Sequence, residues 1–264
     1  MTSSEIVAPI LVGLAAGYLS GQFGIGGGII TTPAIRLLLG YPALIAVGTP
    51  LLVVLPTALA GATAYARRGL SDTRAGIVIG AAGAAASVVG ALATRLVGGA
   101  AVLVITAALI LWMAIDMVLL ALRGEPRGPE EAPSAGRQPL ARQRAAGLVL
   151  LGVVTGLYSG FLGLGGGFVV VPSLVRWFGF DIKRAIGTSL VVVSVLAVPG
   201  SLTHLALGNI DLRLAGLLML GVIPGALVGA RVTAVVRGRT IKLAFAALLA
   251  VVGIVLGIGE LGVL

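Results

Sequence analysis

Gly13-Leu-Ala-Ala-Gly17-Tyr-Leu-Ser20-Gly21-Gln-Phe-Gly24-Ile-Gly26-Gly27-Gly28-Ile-Ile-Thr-Thr-Pro33 returns 139 residues later. The second copy reads Gly152-Val-Val-Thr155-Gly156-Leu-Tyr-Ser159-Gly160-Phe-Leu-Gly163-Leu-Gly165-Gly166-Gly167-Phe-Val-Val-Val-Pro172. Nine positions match in register: seven glycines, Ser20 with Ser159, and Pro33 with Pro172. The same offset then lays Gly48-Thr49 on Gly187-Thr188, Gly61 on Gly200, Asp72 and Arg74 on Asp211 and Arg213, and Gly90 on Gly229. One constant offset across most of each half identifies a duplication.

Outward from the glycine runs the chain is apolar. Stretches suited to a membrane cover residues 6–23, 43–66, 75–97 and 100–122, then 146–162, 182–206, 214–236 and 241–259. About 20 apolar residues carry a helix across a bilayer core. Residues 29–39 and 168–178 are shorter, and eleven residues of helix reach only about 16 Å. They read as half-helices, each closing a hairpin opened by the run before it, either re-entrant or fully spanning. Charged residues are 10% of the chain and mean hydropathy is +1.15, against about 25% charged in an ordinary soluble domain. The expected fold is therefore an all-α polytopic membrane protein of two repeats, each a Gly-rich hairpin plus three transmembrane helices.

The repeats span residues 1–122 and 145–264, separated by a linker at 123–144 rich in proline, glutamate and arginine. An odd number of crossings per half, with the linker cytoplasmic, puts 15 of the 18 basic residues inside and leaves Arg36, Arg95 and Arg213 outside. That distribution satisfies the positive-inside rule. Odd halves in tandem are inverted relative to each other, as in many secondary transporters, and both termini would then be outside. The start, Met1-Thr-Ser-Ser-Glu5, has no basic segment ahead of its apolar run and reads as a retained membrane segment. The net charge of +9 is dispersed in short clusters without interleaved aromatics, so a nucleic-acid partner is not expected. Cysteine is absent, which excludes disulfides and thiolate metal sites. No metal spacing and no nucleophile–base pair is present, so neither a cofactor nor an enzymatic activity is expected. The partners expected are the lipid bilayer and a small anionic substrate, with a homo-oligomer left open.

The doubled Gly24-Ile-Gly-Gly-Gly28…Pro33 and Gly163-Leu-Gly-Gly-Gly167…Pro172, followed by Ala185-Ile-Gly-Thr-Ser-Leu190, resembles the sulfite exporter (TauE/SafE) family, also called toluene sulfonate uptake permeases. The likeness covers essentially the whole chain. It implies a transporter in a bacterial or archaeal cytoplasmic (inner) membrane, carrying sulfur-containing anions such as sulfite, sulfonates or sulfoacetate. Gly48-Thr-Pro50 departs from the Gly-Thr-Ser of the second half.

Read on their own chemistry, the runs supply the candidate site. Gly24, Gly26, Gly27 and Gly28, with Gly163, Gly165, Gly166 and Gly167, can uncover successive backbone N–H donors at the start of a helix. There the helix dipole also favours an anion. The alternative is that they only permit a tight bend, and both can hold together. A dinucleotide-binding reading fails, because the acidic residue expected about 20 positions on is absent. Pro33 and Pro172 suit the first turn of a half-helix. Gln22, whose counterpart is Phe161, needs a partner in lipid, and Thr49, Thr188 and Ser189 would complete the hydrogen bonding. Gly13, Gly17 and Gly21, like Gly152, Gly156 and Gly160, read as packing seams. His204, opposite Tyr65, reads as interfacial. Arg36 and Arg176 read as snorkelling to the interface. Asp116 is a carboxylate in an apolar run whose counterpart is Val255. It is a candidate for proton coupling, or a partner for Arg123. A passive anion channel is the rival to a secondary transporter.

Overall fold

The computed structural model of the protein describes residues 3–97, 99–122, 142–162 and 165–261. The first half holds α1 (Ser3–Phe23), α2 (Gly28–Pro33, continued by a π-helical turn, Ala34–Leu38), α3 (Ala43–Ala66), α4 (Thr73–Val97) and α5 (Gly99–Leu122). The second holds α6 (Arg142–Leu162), α7 (Gly167–Phe178), α8 (Ile182–Ala206), α9 (Leu212–Val235) and α10 (Gly238–Leu261). The described residues contain helices and turns only. Eight of the helices are long and apolar enough to cross a membrane. Most of the sequence expected as linker lies outside the described residues, while α6 begins within it at Arg142.

Each hairpin leaves from and returns to one face of the molecule. Pro9 of α1 lines the same cleft as Leu39–Pro42, which follow α2, and Arg213 at the start of α9. At the opposite face, the Phe178 ring at the end of α7 lies beside Gly147 near the start of α6. Asp72 and Asp211 occupy equivalent positions and cap α4 and α9, accepting from the N–H groups of Ala75 at 3.0 Å and Leu214 at 2.9 Å. An aspartate there satisfies a donor that the first turn leaves without an intrahelical partner. Pro33 and Pro172 are each the sixth residue of a half-helix, in its second turn and not its first. Proline has no N–H to bond the carbonyl four residues back, and in α2 the helix widens into the π turn directly after it.

The packing register follows the glycines. A Cβ at Gly13, Gly17 or Gly21 would lie less than 3.0 Å from the backbone of Leu218, Val222 or Ala226. The constant spacing makes α1 and α9 parallel and in near backbone contact. Gly152, Gly156 and Gly160 meet Ile79, Gly83 and Ser87 in the same way, so α6 lies parallel to α4. Close approach of this kind recovers dispersion energy where lipid supplies no hydrophobic drive. The central pair, α3 and α8, is antiparallel: Gly61 faces Leu190 and Gly200 faces Leu51. α8 is buried along most of its length. Large apolar side chains such as Leu92, Trp112, Leu150 and Leu220 point outward, each at least half exposed. That is the exterior a lipid-facing helix requires.

Candidate functional site

Both glycine runs form the same turn. Gly24, Gly26 and Gly27 have φ of 74°, 76° and 93°, and Gly165 and Gly166 have φ of 75°. These are left-handed conformations that glycine adopts without steric cost. Gly27 and Gly166 are the N-caps of α2 and α7. The first intrahelical donors are Ile30 and Thr31 to Gly27 O, and Val169 and Val170 to Gly166 O. The N–H groups of Gly28 and Ile29, and of Gly167 and Phe168, stand ahead of them at the positive ends of the half-helices. Gly163 lies outside the described residues.

The tertiary structure brings the two turns into contact. A Cβ on Gly167 would lie less than 3.0 Å from Gly24 O and the Ile25 backbone. Ser189 donates its hydroxyl to Gly24 O at 2.8 Å, with Gly167 O at 3.4 Å. Gly26 and Gly165 both sit on Val54 and Val193, which are repeat equivalents halfway along α3 and α8. The turns therefore share one pseudo-symmetric floor at mid-depth. The whole stretch from Phe23 to Ile29 is buried.

Other predicted site residues fall elsewhere. Thr49 and Thr188 accept the backbone N–H of Asp211 at 3.1 Å and of Asp72 at 2.8 Å, so each half caps a helix start in the other. Gln22 is half-buried in the α1–α9 seam, where its backbone carbonyl accepts from Thr233 at 3.0 Å. Asp116 is ion-paired with Arg176 of α7, across the two halves. Arg176 thus has an anionic partner and is not merely a snorkelling cation. Arg123, the partner first expected for Asp116, lies outside the described residues. Arg36 reaches the Tyr41 carbonyl at 3.4 Å.

Two features take a form in the structure that the sequence did not foretell. His204 is fully buried, not interfacial. Its Nε2 is 3.0 Å from Gly160 O and its Nδ1 is 3.3 Å from Asn209 Nδ2. A carbonyl only accepts, so Nε2 carries the proton and Nδ1 accepts from the amide. Tyr65, its repeat equivalent, donates to Gly21 O at 2.9 Å, and Gly21 is the equivalent of Gly160. One phenol and one imidazole thus pin matching points just ahead of the two turns. The shared offset already sets the two positions opposite each other, and the unlike side chains gave no sign of a common task. The second feature is a set of buried hydroxyls without partners: Ser20, Thr32, Ser71, Thr155 and Ser159. Nothing in the sequence separates them from hydroxyls that bond their own helix.

The model of the family described as sulfite exporter TauE/SafE matches residues 9–256. The chain is 28% identical to a probable membrane transporter protein, YdhB, of Bacillus subtilis (strain 168), over 94% of this chain and 98% of that one. It is 26% identical to a second from the same organism, YunE, covering 89% of each. It is 23% identical to a probable membrane transporter protein of Methanocaldococcus jannaschii, over 93% and 92%. No solved structure matches the chain. Duplicated helices, paired glycine turns and a match over nearly the whole length agree: the chain belongs to the sulfite exporter TauE/SafE family and is a multi-pass membrane transporter.

Proposed function

We propose that the protein is a secondary transporter of a small, sulfur-containing anion of the sulfite, sulfonate or sulfoacetate type. The anion is held where the turns Gly24–Gly28 and 163–167 meet, beside Ser189. The observation that carries this reading is the shared floor: Gly26 and Gly165, from opposite halves, rest on the same Val54 and Val193. Each turn opens a half-helix, and a helix start carries roughly half a positive charge. Backbone donors of this kind hold an anion without the desolvation cost of burying a fixed cation, which suits a carrier that must also release its load.

Many alternating-access transporters are built from two halves of opposite orientation. The antiparallel packing of α3 against α8 supports an inverted relation between the repeats. The face holding Arg67, Arg68, Lys183, Arg184 and Arg239 is taken as cytoplasmic. The linker is then inside and both termini outside, in a bacterial or archaeal cytoplasmic membrane. A passive anion channel could use the same donors. Purified protein in proteoliposomes decides: labelled sulfite is expected to accumulate above its external concentration under an imposed proton or sodium gradient. Flux that stops at equal concentrations under every gradient would make the protein a channel.

A further inference from the structure

Among the described residues, four of the five unpartnered buried hydroxyls lie in the two hairpins, on α1, α2 and α6. Ser159 and Thr155 are one helical turn apart on α6, and both are fully buried. Both face Gly166, the N-cap of the twelve-residue α7. A Cβ at Gly166 would lie 2.6 Å from the Thr155 methyl and 3.4 Å from the Ser159 Cβ. In the first hairpin Ser20, the equivalent of Ser159, faces Gly27 at 3.8 Å.

A hydroxyl in an apolar helix ordinarily bonds the carbonyl four residues back. Thr57, Thr106 and Ser201 of this chain do so, to Val53 at 2.7 Å, Val102 at 2.7 Å and Ala197 at 2.5 Å. Thr155 and Ser159 could reach the carbonyls of Leu151 and Thr155 by the same route and make neither bond. Leaving a buried hydroxyl unsatisfied is unfavourable. Two such groups lie beside the first N–H groups of α7, those of Gly167 and Phe168, and among the described residues the two hydroxyls have no acceptor.

We propose that Ser159 and Thr155 are the specificity-determining donors of the transport site, with Ser20 the matching donor on the first hairpin. This rests on the transport reading above and names what that site selects. Two hydroxyls and two amides are four donors in one place, and they suit a ligand with two or more acceptor oxygens on one centre. A sulfite or sulfonate group has them, and a halide offers a single atom. The hydroxyls therefore set the preference for an oxyanion over chloride.

The test uses the purified full-length protein and labelled sulfite, with chloride as competitor. Ser159→Ala and Thr155→Val are each expected to weaken sulfite binding by about tenfold, the value of one hydrogen bond to a charged ligand. Chloride competition should change little, and the melting temperature without ligand should hold or rise, since an unsatisfied group is removed. Thr106→Val, whose hydroxyl bonds its own helix, should bind sulfite like the wild type. Unchanged affinity in both Ser159→Ala and Thr155→Val would overturn the inference and leave the transport reading intact. So would a lowered melting temperature in both, or an equal loss in Thr106→Val, each of which marks a packing effect. A wild type that binds neither sulfite nor methanesulfonate would overturn the transport reading and this inference together.

Discussion

Asp116 is a residue whose place in an apolar run was legible and whose partner was not. The Asp116–Arg176 ion pair joins α5 to the half-helix α7, and the repeat has no copy of it: the equivalent positions are Val255 and Leu37. With Trp112, Met113, Pro172, Ser173 and Trp177 the pair lines a cavity of about 260 Å³ near the basic face. Arg176 is 39% exposed and Asp116 19% exposed, so the pair contributes about 1 kcal/mol or less to stability. That size separates a structural role from coupling. Asp116→Asn is expected to keep the melting temperature within a few degrees and to abolish the response of sulfite flux to a pH gradient. Unchanged pH-driven flux in proteoliposomes would leave the carboxylate as a strut.

At the scale of the element, the seams α1–α9 and α4–α6 depend on the absence of a side chain. A Cβ at Gly17 meets the Val222 backbone at under 3.0 Å, and one at Gly216 meets nothing within 4 Å. The two glycines sit in helices of the same seam, so they form a matched comparison. Gly17→Ala forces α1 off α9 and is expected to cost about 1–3 kcal/mol, the usual range for overpacking. Gly216→Ala is expected to be neutral or to stabilise by up to about 1 kcal/mol, since alanine is the better helix former. Melting temperatures and monodisperse yield in detergent check both. Equal behaviour of the two variants would mean that the seam is looser than the backbone contacts imply.

For the whole molecule, orientation is the property on which transport depends. The α3–α4 turn and the start of α10 belong to one face, because Arg68 donates to the Ala230 carbonyl at 3.1 Å and Lys183 to the Ala234 carbonyl at 2.8 Å, both near the end of α9. The α8–α9 turn belongs to the other, beside the start of α3. The chain contains no cysteine, so single cysteines can be placed without further change. Arg68→Cys and Thr240→Cys are expected to react with an impermeant maleimide only in inverted vesicles. Ala206→Cys should react only in right-side-out cells or vesicles. Labelling of Thr240→Cys from outside would reverse the proposed topology.

The sequence by itself determined the class, the duplication and the positions of the elements. Helix length, apolarity and glycine spacing are local quantities, and a bilayer leaves helices as the only economical way to satisfy the backbone of such runs. It also marked both glycine turns, because the 139-residue offset repeats the residues that permit left-handed φ. Only the tertiary structure decided what meets at those turns. Ser189 reaches Gly24 O over a separation of 165 residues, and Thr188 caps Asp72 over 116. Tyr65 and His204 perform one task with unlike side chains. Ser159 differs from Ser201 only in what surrounds it: the Ser201 hydroxyl bonds its own helix and the Ser159 hydroxyl has no partner. Hydrogen bonds of this kind depend on which helix faces come together across the repeats, and that arrangement is settled by packing between residues far apart in the chain.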